Sequence, residues 1–82
     1  MYQVYMLRCS DGTLYTGIAV DARRRLKEHN SGKGAKYTRS RLPAELVYTE
    51  QQPDKGSALR REIEIKKLTR AQKLALIEKA DL

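Results

Sequence analysis

Two side chains suited to anion binding and proton transfer lie one helical turn apart in the stretch DARRRLKEHN, residues 21–30. At roughly 100° per residue, Ala22 and Leu26 form a narrow apolar stripe, and Arg25 and His29 lie directly beside it. An (i, i+4) pair shares one helical face, so both side chains would point at whatever the helix covers. A guanidinium binds oxyanions through its planar fork, and an imidazole exchanges protons near neutral pH. The spacing therefore indicates an anion site with a proton acceptor.

Both residues also have a purely structural interpretation. Arg25 would form a salt bridge with Glu28 or Glu62, and His29 would be a residue that the dipole favours near a helix C-terminus. The sequence leaves these alternatives open.

A lone carboxylate, Glu62, lies in a second stretch, SALRREIEIKKL. On a helical wheel it falls inside an apolar arc formed by Ala58, Leu59, Ile63 and Ile65. A carboxylate in apolar surroundings is costly unless it is paired or bound to a cation. The pattern predicts either a structural salt bridge to a neighbouring arginine or a cation site.

The net charge of +7 is concentrated in the first half of the chain. Residues 23–41 contain eight Lys and Arg against one acid, Glu28. Such a cluster attracts polyphosphate by counterion release, although it could equally be a solvated face. The predicted nucleic-acid contacts are Arg23, Arg24, Lys27, Lys33, Lys36, Tyr37, Arg39 and Arg41.

Composition excludes several other classes. The 82 residues are enough for one domain, 1–82, and no apolar run approaches the ~18 residues of a membrane span. The N-terminus lacks the pattern of a signal peptide, and the lone Cys9 cannot form an internal disulfide, so we expect a reduced, cytoplasmic protein. One cysteine and one histidine do not make a zinc site. The basic stretch lacks the broad apolar face of a membrane-surface helix.

The order of predicted elements is β-β-α-β-α-α, an α+β domain with a small, mostly antiparallel three-stranded sheet flanked by helices. YQVYMLRC and LYTGIAV form a hairpin, and AELVYTEQ is the third strand. A long basic loop covers residues 30–43. The predicted helices begin at an Asp21 cap and run to about His29, begin at a Ser57 cap and run to about Leu68, and begin at a Thr69–Gln72 capping box.

The hairpin loop decides which tyrosines share a face of the sheet. A two-residue turn at 11–12 would put Tyr5 and Tyr15 on opposite faces. A three-residue loop at 10–12 would put them on one face, with Gly17 leaving space in front of the Tyr5 ring. The residues themselves allow both.

The motifs together resemble the GIY-YIG nuclease domain, in particular its small stand-alone bacterial members. The resemblance rests on VYML, on YTG with Tyr15 ten residues after Tyr5, on Arg25 in RRRLKEH and on Glu62 in a later helix. The stretch HNSGKGAKYTR is also similar to these members, and the likeness extends from Val4 to Leu68. It implies that the two tyrosines share a face, which selects the three-residue loop.

The resemblance implies a metal-dependent endonuclease acting on DNA rather than RNA, single-stranded or branched forms included, with low sequence specificity. The implied roles are Tyr5 as general base, Tyr15 orienting water or phosphate, Arg25 on the scissile phosphate, His29 accepting the proton, and Glu62 holding one divalent metal, Mg or Mn. A nucleic-acid-binding protein of the same fold with little or no catalysis is the alternative. A protein partner docked on the last helix, at Leu74, Leu76 and Ile77, is a third interpretation, although that helix more readily covers the core.

Three positions depart from the family pattern. Gln3 replaces a glycine and Thr16 an isoleucine, both in strands that tolerate the change. Ile18 stands where many members carry a lysine near the phosphate. If that charge is required, a Lys or Arg of the basic loop must supply it.

Overall fold

A three-stranded antiparallel sheet organises the protein. The computed structural model describes residues 1–80. The strands are β1 (Tyr2–Arg8), β2 (Leu14–Ala19) and β3 (Glu45–Gln52), in the spatial order β2-β1-β3. The predicted architecture is confirmed, and β2 is an edge strand of this sheet.

Within residues 1–80, four helices flank the sheet, one more than the sequence predicted. They are α1 (Ala22–Asn30), α2 (Lys36–Arg39), α3 (Lys55–Lys66) and α4 (Arg70–Lys79). The additional helix is the single turn α2, which lies inside the predicted basic loop. Four residues are too few to show a helical period in a sequence, so the pattern around Gly32 and Gly34 indicated only a loop.

Alternate residues of β1 enter two separate apolar clusters, as expected for a strand with period two. One face packs with α3 and α4, through the cluster Val4, Met6, Tyr48, Ala58 and Ile65, joined by Leu68, Leu76 and Ile77. The other face packs with α1, through Tyr5, Leu7, Ala22 and Ala44, joined by Leu26. Tyr5 thus lies on the α1 face, opposite the larger cluster, and Leu76 and Ile77 of α4 cover the core.

The hairpin has the three-residue loop. Cys9 N–H donates to the carbonyl of Thr13 at 2.9 Å, and Gly12 takes a left-handed φ of 84°. The register then pairs Tyr5 with Gly17. Since the register also pairs Leu7 with Tyr15, both tyrosines project from the same face of the sheet.

Helix starts agree with the sequence in two cases and differ in one. The Asp21 carboxylate accepts hydrogen bonds from the first turn of α1, and the Thr69–Gln72 capping box begins α4. The predicted Ser57 cap is wrong, because Asp54 caps α3 and accepts from Ser57 N–H at 2.7 Å. Both residue types are good caps, and the earlier one adds most of a turn to the helix.

The predicted apolar arc of α3 is partly wrong. Leu59 and Ile63 are 41% and 54% exposed. The buried stripe instead follows Ala58, Glu62 and Ile65, positions i, i+4 and i+7. Glu62 therefore lies on the face of α3 that packs against the protein, as predicted.

Two further predictions concern the chain as a whole. Within residues 1–80, no helix is long and apolar enough to cross a membrane. The predicted single domain extends to residue 82, and residues 81–82 lie outside the described residues.

We expect Gly12→Ala to destabilise the protein by about 1 kcal/mol, because a Cβ meets no atom within 4 Å there but the left-handed φ penalises any side chain. Gly56→Ala is the matched control. In α3 a Cβ makes only an ordinary 3.4 Å contact, and alanine favours the helix by up to about 1 kcal/mol. Urea unfolding of both variants measures the difference. Equal effects of the same sign would contradict the loop assignment.

Candidate active site

A buried hydrogen bond joins the first strand to the first helix at the centre of the candidate site. The hydroxyl of Tyr5 lies 2.9 Å from Nε2 of His29, and the two residues are 1% and 0% exposed. Tyr5 comes from the middle of β1, and His29 from the last turn of α1. The helix therefore brings its imidazole onto the sheet face that bears both tyrosines, as the sequence predicted.

A second hydrogen bond sets the tautomer of His29. Its Nδ1 lies 2.9 Å from the Thr38 hydroxyl, which itself donates to the Ala35 carbonyl at 2.9 Å. Because a hydroxyl has one proton, Thr38 must accept from Nδ1–H. The Ala35 N–H approaches Nδ1 at 3.4 Å and would require the other tautomer, which would give up one of the two 2.9 Å bonds of the Thr38 hydroxyl for this longer contact. Nε2 is thus the acceptor, and Tyr5 donates to it.

Two glycines leave the space that this pair occupies. A Cβ on Gly17 would lie 2.7 Å from the Tyr5 hydroxyl. A Cβ on Gly34 would lie 2.7 Å from the His29 Cα and closer still to its ring. Any side chain at either position would displace the phenol or the imidazole.

Burial controls the ionisation of both partners. It raises the pKa of Tyr5 to about 12, with a further upward contribution from neighbouring Tyr15 and an opposing one from Arg25. Burial, and secondarily the Arg25 guanidinium, lowers the pKa of His29 below its ordinary 6.5. At neutral pH the site therefore contains a neutral phenol that donates to a neutral imidazole.

The Arg25 guanidinium lies near two groups, the Glu28 carboxylate and the Tyr5 hydroxyl. Its Nη1 donates to Glu28 Oε1 at 2.8 Å, which is the structural pairing that the sequence allowed. It also lies close enough to the Tyr5 hydroxyl to lower the pKa of Tyr5. The Arg25 side chain is 35% exposed, so its guanidinium is accessible to an incoming anion.

Tyr15 connects the buried pair to the surface. Its ring centroid lies 5.3 Å from that of His29 and 6.4 Å from that of Tyr5. On its outer side it stacks with Tyr37 of α2, at 5.9 Å between centroids and 25° between planes. The Arg41 guanidinium lies 4.1 Å from the centre of the Tyr37 ring. An aromatic wall therefore runs from the buried histidine to solvent.

Glu62 approaches the site from α3. Its carboxylate adds to the raised pKa of Tyr5, which shows that the two are electrostatic neighbours. The side chain is only 17% exposed and pairs with Lys66 at 3.3 Å. Within residues 1–80, no three His, Cys, Asp or Glu side chains cluster to hold a metal. A cation here would have Glu62 as a single carboxylate ligand, which suits a hydrated Mg²⁺ or Mn²⁺.

At position 18 the resemblance implies a lysine, and this chain has Ile18. Ile18 packs against the α3–α4 cluster, on the opposite face from Tyr5. The expected substitute was a basic residue of the long loop. Lys66 of α3, outside that loop, is an ammonium close to the site and pairs with Glu62 at 3.3 Å.

The predicted nucleic-acid contacts form an accessible basic surface along α1 and the segment that follows it. All eight are at least partly exposed: Arg23, Arg24, Lys27, Lys33, Lys36, Tyr37, Arg39 and Arg41. Arg41 is less available for a phosphate than the others, because its guanidinium pairs with Asp11 at 3.1 Å.

This arrangement of tyrosines, arginine, histidine and glutamate corresponds to a known domain. The family model of the GIY-YIG catalytic domain matches residues 1–75. The chain belongs to the GIY-YIG family. Its catalytic domain is that of a nuclease family, so membership implies a nucleic-acid substrate.

Its relatives are small proteins of similar length. A UPF0213 protein of Halobacterium salinarum is 57% identical over 76 residues, covering 93% of this chain and 99% of its own. A UPF0213 protein of Staphylococcus epidermidis is 56% identical, covering 92% of each chain. The solution structure of a UPF0213 protein of Bacillus halodurans has a TM-score of 0.60 at 51% identity, covering 95% of this chain and 84% of its own. An E. faecalis protein gives 0.62 at 42%, covering 94% and 82%.

Sequence reasoning missed Thr38 and Gly34, whereas the space that Gly17 leaves in front of the Tyr5 ring was expected with the three-residue loop. Thr38 lies nine residues from His29, in a segment read as a loop, so no helical or strand period connected them. Asn30 was considered a loop residue, but its amide holds the start of β3 by bonds of 2.8 and 3.0 Å to the Ala44 backbone. The signal available was composition alone: short polar residues between glycines often bond to backbone or side chains nearby.

We expect Thr38→Val to cost about 1–3 kcal/mol of unfolding free energy, because it leaves the buried Nδ1–H of His29 without an acceptor. Thr38→Ser keeps the hydroxyl and should cost about 1 kcal/mol for the lost methyl. Urea unfolding gives both values, and ¹⁵N chemical shifts report the tautomer. A valine variant as stable as the serine variant, with Nδ1 still protonated, would refute the assignment.

The lowered pKa of His29 predicts a pH dependence of stability. Below pH 6.5 the unfolded chain gains a proton on its histidine that the folded chain resists, so the unfolding free energy falls as the pH drops below that value. The chain has one histidine. We therefore expect urea unfolding at pH 7.5 and 5.5 to show a loss that His29→Gln lacks. An equal loss in both proteins would assign it to other groups.

Proposed function

We propose that the chain is a metal-dependent endonuclease that cleaves phosphodiester bonds in DNA, single-stranded or branched forms included, with low sequence specificity. Membership of the GIY-YIG family supports the reaction class. The observation that carries the proposal is the buried hydrogen bond of 2.9 Å from Tyr5 to His29, with Arg25 beside it. It joins a proton relay to an anion-binding group in one place.

Proton transfer to His29 would let Tyr5 act as a general base despite its high pKa. A phenol with a pKa of about 12 stays protonated at neutral pH and is not by itself a base. Its proton, however, already points at Nε2 of a neutral imidazole. As the attacking water gives a proton to the Tyr5 oxygen, the original phenol proton moves to His29. The Thr38 hydroxyl keeps the ring oriented and accepts from its other nitrogen.

Arg25 supplies the positive charge for the phosphate. Its guanidinium can bind two phosphate oxygens at once, which a lysine cannot do. To bind these oxygens, Arg25 must break its salt bridge with Glu28. The pair is partly exposed and contributes little net stability, so breaking it costs little free energy. Tyr15, half-buried next to His29, can orient either the water or a phosphate oxygen.

Glu62 would hold one Mg²⁺ or Mn²⁺, with water as the remaining ligands. Such an ion, when bound, neutralises charge that develops on the leaving oxygen. Lys66 occupies this carboxylate at 3.3 Å and is itself 54% exposed, so it can move aside into solvent. A single carboxylate fits one hydrated ion better than a two-metal cage.

The basic surface supports binding to nucleic acid without reading its sequence. Its lysines and arginines are exposed and suited to phosphate contacts, which position a strand but carry no base information. Affinity for DNA should therefore fall steeply with salt. Preference for DNA over RNA is part of the proposal.

One observation favours a second candidate, a nucleic-acid-binding protein with weak or no catalysis. Ile18 removes the family lysine, and its side chain packs on the other face of the sheet. Lys66 of α3, which could supply this charge, is engaged with Glu62. Binding without cleavage would identify this function.

We expect Arg25→Ala and Glu62→Ala each to lower the rate of DNA cleavage by about 100-fold or more, because each removes charge stabilisation from the reaction. The assay follows nicking of labelled single-stranded and branched DNA with Mg²⁺ or Mn²⁺, and with EDTA. Arg60→Ala, an exposed arginine of α3 away from these residues, is the matched control and should cleave normally.

Cleavage that survives both substitutions would come from a contaminant and would sink the proposal. Salt-sensitive binding without cleavage by the unaltered protein would replace it with the second candidate.

A further inference from the structure

A cavity of about 280 Å³ opens next to the catalytic residues, at the outer edge of β2. Its lining residues are Leu14, Tyr15, Thr16, Tyr37, Lys66 and Lys73. They come from four different elements: β2, α2, α3 and α4. The size lies just below the range of about 300–1,000 Å³ that is typical of small-molecule pockets, so it suits a group no larger than one nucleotide.

The walls combine the chemistry that an unpaired nucleotide requires. Tyr15 and Tyr37 supply stacked aromatic rings, and Tyr37 is 40% exposed. Lys66 and Lys73 supply positive charge for a phosphate. Aromatic rings and cations together form the usual binding surface for single strands, because every base has an aromatic face and every nucleotide has a phosphate.

One lining residue, Thr16, has a buried hydroxyl without a hydrogen-bond partner. Thr16 is 3% exposed, and its Oγ1 is the buried side-chain polar atom without a hydrogen-bond partner among the described residues. A buried hydroxyl with no partner is destabilising, and valine would fill the same space without that penalty. A polar atom of a bound base or sugar would provide the missing partner.

The cavity shares two walls with the candidate active site. Tyr15 contacts it on one side and lies 5.3 Å from the His29 ring, centroid to centroid, on the other. Lys66 lines it and pairs with Glu62 at 3.3 Å. A strand whose phosphate lies at Arg25 would therefore place an adjacent nucleotide at the mouth of the cavity.

We propose that this cavity is a subsite for one unpaired nucleotide next to the scissile phosphate, which makes single-stranded or locally unpaired DNA the preferred substrate. The inference rests on the proposed nuclease function. A base in an intact duplex is stacked and paired, and it must leave the helix to enter such a cavity. A single strand has no such barrier.

The test measures binding of a fluorescein-labelled 12-nucleotide single strand and of the same sequence as a duplex, by fluorescence anisotropy in EDTA. We expect the unaltered protein to favour the single strand. Tyr37→Leu should weaken single-strand binding about tenfold, within the range for loss of one base–aromatic stack, and duplex binding far less. Tyr37→Phe keeps the ring and should bind like the unaltered protein.

Three further substitutions distinguish a loss of binding from a loss of folding. Lys73→Gln should weaken single-strand binding and reduce the salt dependence by about 0.7 in the log–log slope. Lys79→Gln removes the same charge from the same helix outside the cavity and should not. Thr16→Val should raise the melting temperature and still weaken single-strand binding, a combination that a merely structural threonine would not give.

Equal losses for single strand and duplex, or no preference for the single strand, would overturn the subsite. So would a Lys73→Gln variant that binds like Lys79→Gln. These outcomes are separate from the nuclease proposal, because binding in EDTA needs no cleavage. A protein that shows the expected binding pattern but never cleaves DNA would retain the subsite and lose the nuclease function.

Discussion

The buried contact between Tyr5 and His29 sets most of the requirements that the rest of the structure meets. A phenol and an imidazole can lie this deep only if each polar atom has a partner, because an unpaired one would be costly away from water. Thr38 satisfies the second imidazole nitrogen, and Gly17 and Gly34 leave room for the rings. The three-residue hairpin loop is part of the same constraint. It pairs Tyr5 with Gly17, whereas a two-residue turn would put Tyr5 and Tyr15 on opposite faces of the sheet.

Burial also explains why the chemistry needs several groups. It makes the phenol a weaker acid and the imidazole a weaker base, so neither is charged at neutral pH. The resting pair therefore carries no charge, and in the proposed relay the transfer from Tyr5 to His29 must be coupled to proton donation by the attacking water, since a buried tyrosinate would be costly. Positive charge then has to come from outside the pair. Arg25 lies beside the pair, and Glu62, another electrostatic neighbour of Tyr5, is the residue that would hold an ion.

Much of the architecture could be predicted because it follows from local pattern. Strand alternation gave the hairpin and the third strand, and the capping residues Asp21 and Thr69 marked two helix starts correctly. The start of α3 was placed at Ser57 instead of Asp54, since two good caps lie three residues apart and only packing chooses between them. Local rules identify candidates at such positions, and tertiary contacts select one.

The site was harder to predict wherever it depends on side chains from distant elements. The resemblance supplied the Tyr5 register, which the residues alone left open. Thr38 and Lys73 carried no signal, because nothing in the sequence relates a short loop helix or the last helix to β1 or β2. The exposure of Leu59 shows the same limit: a helical wheel gives relative angles, but the facing surface decides which side is buried.

The amide side chains at the two ends of α1 have a mechanical consequence. Gln3 accepts from the Ala22 N–H at 2.7 Å, and Asn30 bridges to the Ala44 backbone. Hydrogen bonds therefore hold α1 to the central strand at one end and to the residue just before β3 at the other. These bonds oppose a displacement of the helix, so in the proposed mechanism Arg25 would reach a phosphate by rotation of its side chain. On the proposed function, selectivity among DNA shapes would then depend on which of them fit the surface that this fixed helix presents.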